Sequence, residues 1–412
     1  MHTPKIRFAG YKNEWQNKKL KELTHYTKGF AFKSNQFIDK GYRVIRVSDL
    51  LENSIKQKSD QVFISISESE TYEKYKILKD DILVTTVGSK PELTSSAVGR
   101  AIYISENVNM YLNQNLLKFE SSKLINNYFL YMNLKRNKYK NYISLIQRGN
   151  ANQSNITVLD LLDYQINIPS YEEQEKIGSL FSLLNEKIQK QQEKVELLQA
   201  QKKGLMQKIF SQELRFKDEN GQDYPDWEKL KFFDVVDKLI GGGTPSRSIE
   251  VYYNGTIPWV TVKDLKTNKY ITDAAEHITE LGLKNSSSKI VNKGDLIIPT
   301  RMAVGRVLIA KKDVAINQDL KGCKLKSKFD TEFIYYLYLN KSILIERLGS
   351  GSTVSGINID DLMNIKMEIP SIKEQKKIAK YLASIDMKLE KEKEKVNLLV
   401  NQKKGFIQNM FI

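Results

Sequence analysis

Apolar residues recur in alternating steps of four and three along two long stretches of the chain. Each run covers more than four heptads and keeps its apolar positions on one face of a helix. This spacing predicts two long helices that pair as a coiled coil. The alternative is a single amphipathic helix that lies on its own domain. The seam positions are Ile177, Leu184, Ile188, Val195, Leu198, Ile378, Ile385, Leu389, Val396 and Leu399.

The two helical stretches are copies of one sequence. Residues 168–210 and 369–411 align without a gap and are identical at 20 of 43 positions. Two copies of about 200 residues indicate a pseudo-twofold molecule rather than a solenoid, which needs several short repeats. We therefore expect the duplicated helices, near 172–210 and 373–411, to pair antiparallel within the chain. Shorter matches elsewhere are Val47-Ser48-Asp49-Leu50 with Val262-Lys263-Asp264-Leu265, Gly99-Arg100 with Gly305-Arg306, and Asn113-Gln114 with Asn317-Gln318.

The part of each copy that precedes its helix has a mixed pattern. Short β-branched runs at 42–47, 82–87, 257–262 and 295–300 predict strands, and segments 126–138 and 331–345 predict helices. The predicted fold class is α+β, with two globular domains in tandem repeat, separated by two long helices that pair as an antiparallel coiled coil. The predicted divisions are a first domain at 1–167, a first helix at 168–212, a linker at 213–226, a second domain at 227–368 and a second helix at 369–412.

Charge narrows the choice of partner. The chain carries 65 Lys and Arg against 49 Asp and Glu, a formal net charge of +16. Residues 1–167 hold 25 basic and 16 acidic side chains, and residues 227–368 hold 21 and 17, so both globular parts are basic. Such an excess favours a polyanion such as nucleic acid, although solubility alone is the simpler alternative.

Residue counts argue against several kinds of site. Cys323 is the only cysteine and the three histidines are far apart, so we assign neither a disulfide nor a metal site. The first residues lack an apolar signal segment, and no run of about 18 apolar residues could span a bilayer. The sequence thus predicts a cytoplasmic protein without a membrane partner.

Motifs of enzymes that act on DNA are missing. None of the eight prolines is followed by another, so the Asn/Asp-Pro-Pro-aromatic loop of amino-methyltransferases is absent. No Gly-Lys-Ser/Thr phosphate loop occurs, and Gly241-Gly242-Gly243 leads into Thr-Pro-Ser rather than into the Gly-x-Gly turn of a cofactor fold. We therefore expect no catalytic residue and no cofactor in this chain.

The order of the remaining motifs resembles a known family. Each globular part is followed by Ile-Pro-x-x-x-x-Gln-x-x-Ile at the start of its long helix, at 168–177 and again at 369–378. Lys-Gly-Phe-Ala-Phe-Lys-Ser at 28–34, and Gly-Gly-Thr-Pro-Ser at 242–246 with Ile-Pro-Trp at 257–259, complete the pattern. Over essentially its whole length the chain is similar to the specificity subunit of type I restriction–modification enzymes.

The resemblance implies a division of labour. Each globular part would be a target-recognition domain that reads one half of a bipartite site on double-stranded DNA, and the helices would fix the gap between the halves. The partners would be two methyltransferase subunits that use S-adenosylmethionine, and motor-nuclease restriction subunits that use ATP and Mg. The chain itself would be non-catalytic. Two other classes stay open: a standalone methyltransferase–nuclease, disfavoured by the missing motifs, and a coiled-coil DNA-binding regulator, for which no helix-turn-helix is found.

Candidate DNA contacts lie in polar, loop-like segments flanked by strands, because base edges and phosphates are recognised by donors, acceptors and basic side chains. In the first domain they are Lys28, Lys33, Ser34, Thr86, Ser89, Lys90, Arg100, Arg148, Asn150, Asn152 and Gln153. In the second they are Thr244, Ser246, Arg247, Thr261, Lys263, Arg301, Arg306, Ser350, Ser352 and Thr353. Target choice should lie where the copies differ. The shared Gly-Arg pairs are therefore expected to serve the common fold or backbone contact, and a structural role suits the shared Asn-Gln pairs at least as well.

Overall fold

The computed structural model describes residues 3–57, 60–89, 98–150, 153–265, 269–349 and 356–412. The chain forms two compact units. Unit 1 comprises Met1–Gln192 and Glu394–Ile412, and unit 2 comprises Glu193–Lys393. Each unit therefore combines one globular part with the first half of the long helix that follows it and the last half of the other long helix. The domain boundaries drawn from the sequence give each helix a segment of its own, and they stay a prediction.

Unit 1 is built from short strands, most of which form two four-stranded sheets. Its strands are β1 (Gln16–Lys19), β2 (Thr24–Lys28), β3 (Tyr42–Ile45), β4 (Val62–Ile64), β5 (Lys76–Ile77), β6 (Ile82–Thr85), β7 (Val87–Gly88), β8 (Ala101–Tyr103), β9 (Met110–Leu112), β10 (Leu116–Ser121), β11 (Arg148–Asn150), β12 (Gln153–Asn155) and β13 (Gln165–Ile168). Its helices are α1 (Leu20–Leu23), α2 (Asn127–Asn133), α3 (Asn137–Ile146), α4 (Val158–Leu162) and the first half of α5 (Tyr171–Phe210). The two larger sheets have the orders β2-β10-β6-β8 and β4-β3-β9-β5, and β3 pairs with β9 in parallel.

Unit 2 repeats this plan. Its strands are β14 (Glu228–Lys231), β15 (Val236–Gly241), β16 (Tyr253–Val260), β17 (Tyr270–Ile271), β18 (Glu276–Ile278), β19 (Lys289–Val291), β20 (Leu296–Pro299), β21 (Leu308–Ala310), β22 (Val314–Ile316), β23 (Leu320–Leu325) and β24 (Lys366–Ile369). Its helices are α6 (Phe232–Val235), α7 (Glu280–Lys284), α8 (Thr331–Asn340), α9 (Ser342–Gly349), α10 (Ile359–Met363) and the first half of α11 (Ile372–Asn409). The sheets have the orders β15-β23-β20-β21-β17 and β18-β16-β22-β19, again with a parallel pair, β16 with β22. The duplication seen in the sequence therefore extends to the strand order, and the predicted α+β tandem fold is confirmed.

The elements predicted in the two globular parts differ from the structure mainly in extent. The strands predicted at 42–47, 257–262 and 295–300 fall on β3, β16 and β20, and the run 82–87 is divided between β6 and β7. The helices predicted at 126–138 and 331–345 are each split in two, into α2 and α3 and into α8 and α9. At the first break the chain tightens, because Lys135 N donates to Met132 O and Arg136 N donates to Asn133 O, three residues back.

The Ile-Pro motif ties the start of each long helix to its domain. Gln174 lies completely buried, its Nε2 donates to Pro169 O at 3.0 Å, and its Oε1 accepts from the backbone of Asn126, which caps α2. In unit 2 Gln375 makes the same pair of bonds, to Pro370 O at 2.8 Å and from the backbone N of Asp330, which caps α8. The glutamine therefore closes the turn at the start of its own long helix and joins that helix to the cap of the preceding one in each copy.

The glutamate beside each glutamine holds an arginine. Glu173 is fully buried and accepts two hydrogen bonds from Arg7, at 2.7 and 2.8 Å. Glu374 is equally buried and accepts two from Arg215, at 2.9 and 3.0 Å. Such bidentate pairs fix geometry as well as charge. Each pair anchors the segment that enters a globular part to the helix that leaves it.

The hydrogen bonding of the tryptophan beside each anchor differs between the two copies, which gives a testable asymmetry. Trp227 Nε1 donates to Glu374 Oε2 at 3.3 Å, whereas the indole N–H of Trp15 is buried without a partner. Both rings are buried and lie at corresponding places. We expect Trp227→Phe to lower the stability of unit 2 by about 1 kcal/mol more than Trp15→Phe lowers that of unit 1, because only Trp227 loses a hydrogen bond. Hydrogen exchange in denaturant, followed peptide by peptide, measures the stability lost by each unit. Equal losses of stability would contradict a stabilising hydrogen bond between Trp227 and Glu374.

The long helices run antiparallel within each unit. In unit 2 Lys202 of α5 forms an ion pair with Asp386 of α11, and Lys194 pairs with Glu392 at 3.2 Å, so residue numbers rise along one helix as they fall along the other. In unit 1 the ring of Phe181 lies 5.7 Å from that of Phe411. Of the seam positions, Ile177, Leu184, Leu198, Ile378 and Leu389 are buried, and Ile188, Val195, Ile385, Val396 and Leu399 are half-buried.

The chain's first and last segments meet inside unit 1. Ile6 N donates to Asn409 O at 2.9 Å, and unit 2 makes the corresponding bond between Leu214 N and Lys208 O at 3.0 Å. The N-terminal segment thus packs on the end of α11 in the way that the chain after α5 packs on the end of α5. In the part of the chain that the structure describes, no helix has the length and apolar character needed to cross a bilayer.

Candidate nucleic-acid interface

In unit 1 the turn at 113–115 packs against the end of strand β2 because the residue after β2 is a glycine, Gly29. Gly29 N donates to Leu116 O at 2.9 Å, and Gln114 N donates to Phe30 O at 2.8 Å. A Cβ on Gly29 would lie 1.9 Å from Asn113 O, so no side chain fits at that position. The glycine of the Lys-Gly-Phe motif thereby brings Lys28 next to the turn at 113–115.

Thr86 connects this turn to a second group of predicted residues. Thr86 N donates to Asn115 O at 2.9 Å, and Ile156 N donates to Thr86 O at 2.9 Å. The strand that follows, β7, forms a three-stranded sheet with the β11–β12 hairpin. The turn at 113–115 is therefore joined along one border of the unit to the described parts of the segments predicted as DNA contacts, at 28–34, 86–89, 148–150 and 153. We call this border the polar edge of unit 1.

Unit 2 builds the same border around another glycine. Gly243 N donates to Ile316 O at 3.0 Å, and a Cβ on Gly242 would lie 2.0 Å from Asn317 O. Thr244 Oγ1 donates to the side chain of Gln318 at 2.5 Å. The Gly-Gly-Thr segment is thus joined to the turn at 317–319.

The rest of this border follows the pattern of unit 1. Thr300 N donates to Asp319 O at 2.8 Å, and Ile357 N donates to Thr300 O at 2.9 Å. These bonds correspond to those made by Thr86 in unit 1. Arg301 forms an isolated antiparallel bridge with Gly356. We call the segments at 244–247, 300–301 and 317–319 the polar edge of unit 2.

Most of the described candidates are accessible. The exposed candidates are Lys28, Lys33, Ser34, Arg148, Gln153, Thr244, Ser246, Arg247, Lys263, Arg301 and Arg306. The half-buried candidates are Thr86, Ser89, Arg100 and Thr261. Arg148 pairs with Asp160 at 2.9 Å while two thirds of its side chain stays exposed. Lys90, Asn152, Ser350, Ser352 and Thr353 lie outside the described residues, as does the side chain of Asn150.

The two Gly-Arg pairs make one shared contact. Arg100 Nη1 donates to Leu50 O at 2.9 Å, and Arg306 Nη1 donates to Leu265 O at 2.5 Å. The two leucines end the Val-x-Asp-Leu segments that recur in both copies. Burial lowers the pKa of Arg100. These bonds give both arginines a place in the common fold, the role that their recurrence favours.

The hydroxyl of Thr261 hydrogen-bonds within its own turn. Its Oγ1 and its backbone N donate to Asp264 Oδ2 at 2.9 and 2.8 Å. In unit 1 the equivalent bond runs from Arg46 N to Asp49 Oδ2 at 2.8 Å. The threonine hydroxyl therefore caps a turn, and its neighbour Lys263 is the accessible side chain there.

Residues at the centre of each polar edge are missing from the sequence-based candidates. Gln114 and Asn115 are exposed in unit 1, and Gln318 is exposed in unit 2. Side-chain amides are suited to reading base edges, adenine above all. The signal for the two glutamines was the recurrence of Asn-Gln in both copies, which also suited a structural role. Their hydrogen-bond partners Phe30, Thr86 and Thr244 are distant in sequence, so the central position of these residues followed only from the fold.

Arg247 is the most constrained of the exposed candidates. Its Nη1 donates to Glu276 Oε2 at 2.5 Å, and this carboxylate raises the pKa of the guanidinium. Its guanidinium carbon lies 4.6 Å from the ring centre of Tyr253 and 5.1 Å from that of Trp259. Contacts of this kind between guanidinium and ring faces are attractive. The side chain is therefore oriented while it remains accessible.

The described residues contain no group of three or more His, Cys, Asp or Glu that could hold a metal ion. The chemistry that the polar edges offer is instead hydrogen bonding by amides and hydroxyls beside Lys and Arg. This set of groups matches base edges and phosphates.

Comparison with known proteins gives a consistent result. The model of the type I restriction modification DNA specificity domain matches residues 12–199 and 224–399. A putative type I restriction enzyme MjaX specificity subunit of Methanocaldococcus jannaschii is 29% identical over 97% of this chain and 93% of its own length. The MjaIX specificity subunit of that organism is 32% identical over 49% of this chain and 48% of its own. A crystal structure of a type I restriction–modification S subunit from M. genitalium has a TM-score of 0.61 at 16% identity, covering 100% of this chain and 99% of the other, which shows the fold.

Proposed function

The chain belongs to the type I restriction–modification DNA specificity family, and we propose that it reads a bipartite sequence on double-stranded DNA, one half with each unit. The observation that carries this proposal is the polar edge that both units build from equivalent hydrogen bonds. The two edges present different side chains, with Lys28 and Arg148 in unit 1 and Thr244 and Arg247 in unit 2. Since base pairs are distinguished by their pattern of donors and acceptors, two different edges would select two different half-sites.

Charge supports the same partner. Both globular parts are basic, and the chain as a whole carries a formal +16. Neutralising phosphates releases counterions and supplies affinity that does not depend on sequence. The amides and hydroxyls on the polar edges would then add the sequence preference.

Neither of the other two functions is supported. A standalone methyltransferase–nuclease would need the Pro-Pro loop and phosphate loop that the sequence lacks. A regulator would not account for a DNA specificity model that matches both halves of the chain. Both halves of the chain therefore serve DNA recognition.

Catalysis would reside in partner subunits: a methyltransferase that carries S-adenosylmethionine, and motor-nuclease subunits that use ATP and Mg. We expect methyl transfer to DNA only when the purified chain and its methyltransferase are mixed, and none from either alone. Radiolabelled methyl donor and a duplex bearing the site measure this. Turnover by the chain alone, removed by a point substitution within it, would contradict the non-catalytic role. Because the DNA it reads is there, we propose the cytoplasm as its compartment.

Two equivalent exposed leucines, one in each unit, lie on the long helices and suit two copies of one partner. Leu197 of α5 and Leu398 of α11 occupy the same place in the duplicated sequence, and they are 59% and 68% exposed. Around them, residues 193–204 and 394–405 are identical at 9 of 12 positions. Packing within the chain does not require exposed leucines. Their duplication therefore supports docking of one methyltransferase subunit at each.

Substitution of these leucines should remove partners one at a time. We expect Leu197→Asp or Leu398→Asp to reduce the bound methyltransferase from two copies to one, and the double variant to bind none. A carboxylate placed at the centre of an apolar contact is left without a partner. Native mass spectrometry of the complex counts the copies. Leu183→Asp is the matched control, because Leu183 is 50% exposed on α5 but its duplicate is Ser384. A double variant that keeps both copies would place the docking surface elsewhere.

A further inference from the structure

Arg247 sits in a support built from two neighbouring strands. Trp259 on β16 is buried, and its Nε1 donates to Gly243 O at 3.1 Å. Tyr253, at the start of the same strand, donates its hydroxyl to Pro245 O at 2.5 Å. Glu276, on the adjacent strand β18, pairs in register with Trp259. The two rings and the carboxylate that hold the guanidinium are thus fixed to the fold and to the loop that carries Arg247.

The arginine remains available to a ligand in spite of these contacts. Its side chain is 57% exposed, and its ion pair with Glu276 is made through Nη1. Nε and Nη2 lie in the same guanidinium plane and are donors as well. A guanidinium that is stacked on rings and held at one edge has lost the freedom that it would otherwise give up on binding.

This support belongs to unit 2. The strand pair β3 and β4 of unit 1 corresponds to β16 and β18, and the register of Trp259 with Glu276 corresponds to that of Val44 with Val62. Two valines provide neither the ring nor the carboxylate. Since the two copies differ at these positions, the support serves something that one half of the molecule does and the other does not.

We propose that Arg247 reads a guanine in the half-site bound by unit 2, with Glu276, Tyr253 and Trp259 as its positioning residues. This inference rests on the proposed function. Guanine presents O6 and N7 as two acceptors in the major groove, and the planar guanidinium can donate to both at once. A lysine at the same place supplies charge without the fork, so it cannot replace the arginine in recognition.

The test uses the full chain in complex with its methyltransferase subunits. Methylation rates are measured on duplexes in which each base pair of both half-sites is substituted in turn. We expect Arg247→Lys to reduce the preference for one G·C pair by about 10- to 100-fold, in one half-site only. Glu276→Gln should reduce the same preference by a smaller factor, because it loosens the arginine without removing it. All preferences in the other half-site should stay unchanged in both variants.

Two results would overturn the role of Arg247. One is a variant in which every preference survives, or in which all sequences lose rate equally. The other is a pair of half-sites that contain no G·C position sensitive to Arg247. Failure of the proposed function would be recognised separately, because the unsubstituted complex would then show no bipartite preference.

Discussion

A heptad inserted into both long helices is expected to lengthen the gap of the recognised sequence by about three base pairs. Helices α5 and α11 contain 40 and 38 residues, and both pass from one unit to the other. Seven residues add roughly 10 Å of helix, which at about 3.4 Å per base pair corresponds to two to four base pairs. The half-sites themselves should not change, because neither polar edge is altered.

The structure indicates where the insertion belongs. The units change over between Gln192 and Glu193 in α5 and between Lys393 and Glu394 in α11. Insertions at these two points leave the ion pairs of Lys202 and Lys194 with α11 within unit 2. A full heptad also keeps apolar residues on the seam, whereas two or three residues would move them off it. DNA twist will oppose part of the change, since the second unit must still meet its groove, so we expect some loss of affinity.

The methylation pattern of a strain that carries the insertion and the methyltransferase measures the gap directly. A heptad in α5 alone is the matched control, because it lengthens one of the two helices that connect the units and not the other, and we expect it to reduce activity. Full activity with an unchanged gap in the double insertion would mean that the helices do not set the spacing.

The second large effect concerns the last residues of the chain. Phe411 is buried in unit 1, where its ring stacks on Phe129 at 5.3 Å and lies 6.4 Å from Trp15. Arg136 lies over the same ring and donates to Ile412 O at 2.7 Å. We expect Phe411→Ala to destabilise unit 1 by about 3–5 kcal/mol, since a buried aromatic ring is lost and a cavity is left. Unit 2 should keep its stability.

The equivalent substitution in unit 2 is at Phe210. Phe210 ends α5 as Phe411 follows the end of α11. The centre of its ring lies 5.8 Å from that of Phe333 and 6.4 Å from that of Trp227 in unit 2. Because Phe210 is only half-buried, Phe210→Ala should cost unit 2 less than Phe411→Ala costs unit 1. Peptide-resolved hydrogen exchange during denaturation separates the two units. Loss of protection in both units from either substitution would show that they do not unfold independently.

Much of this architecture could be predicted from the sequence. The heptads that begin at Ile177 and Ile378, and the similarity of residues 168–210 to 369–411, can be found from local periodicity and self-comparison alone. The interaction of Phe411 with the first globular part was not predictable in this way. This interaction exists because the fold places the last residues of the chain in the hydrophobic core that contains Trp15 and Phe129.

The sequence indicated which segments are polar loops, but it did not indicate which of these loops contact one another. Polar segments around 28–34, 86–89 and 244–247 were recognisable because loops between strands have a typical composition. That Gly29 and Gly242 each bring a loop against an Asn carbonyl is a contact over about 75 to 85 residues of sequence, which no local pattern encodes. Glu276 likewise gains its importance only through its register with Trp259.

Each unit is expected to read its own half of one DNA sequence. The most direct measurement is a methylome of cells that express the methyltransferase with a hybrid chain, in which residues 227–368 come from a relative with another target. We expect the first half-site and the gap to remain, and the second half-site to become that of the relative. Cells without any specificity chain should lack methylation at both sequences. A hybrid that changes both half-sites, or that methylates the original sequence unchanged, would show that the two units do not each read one half.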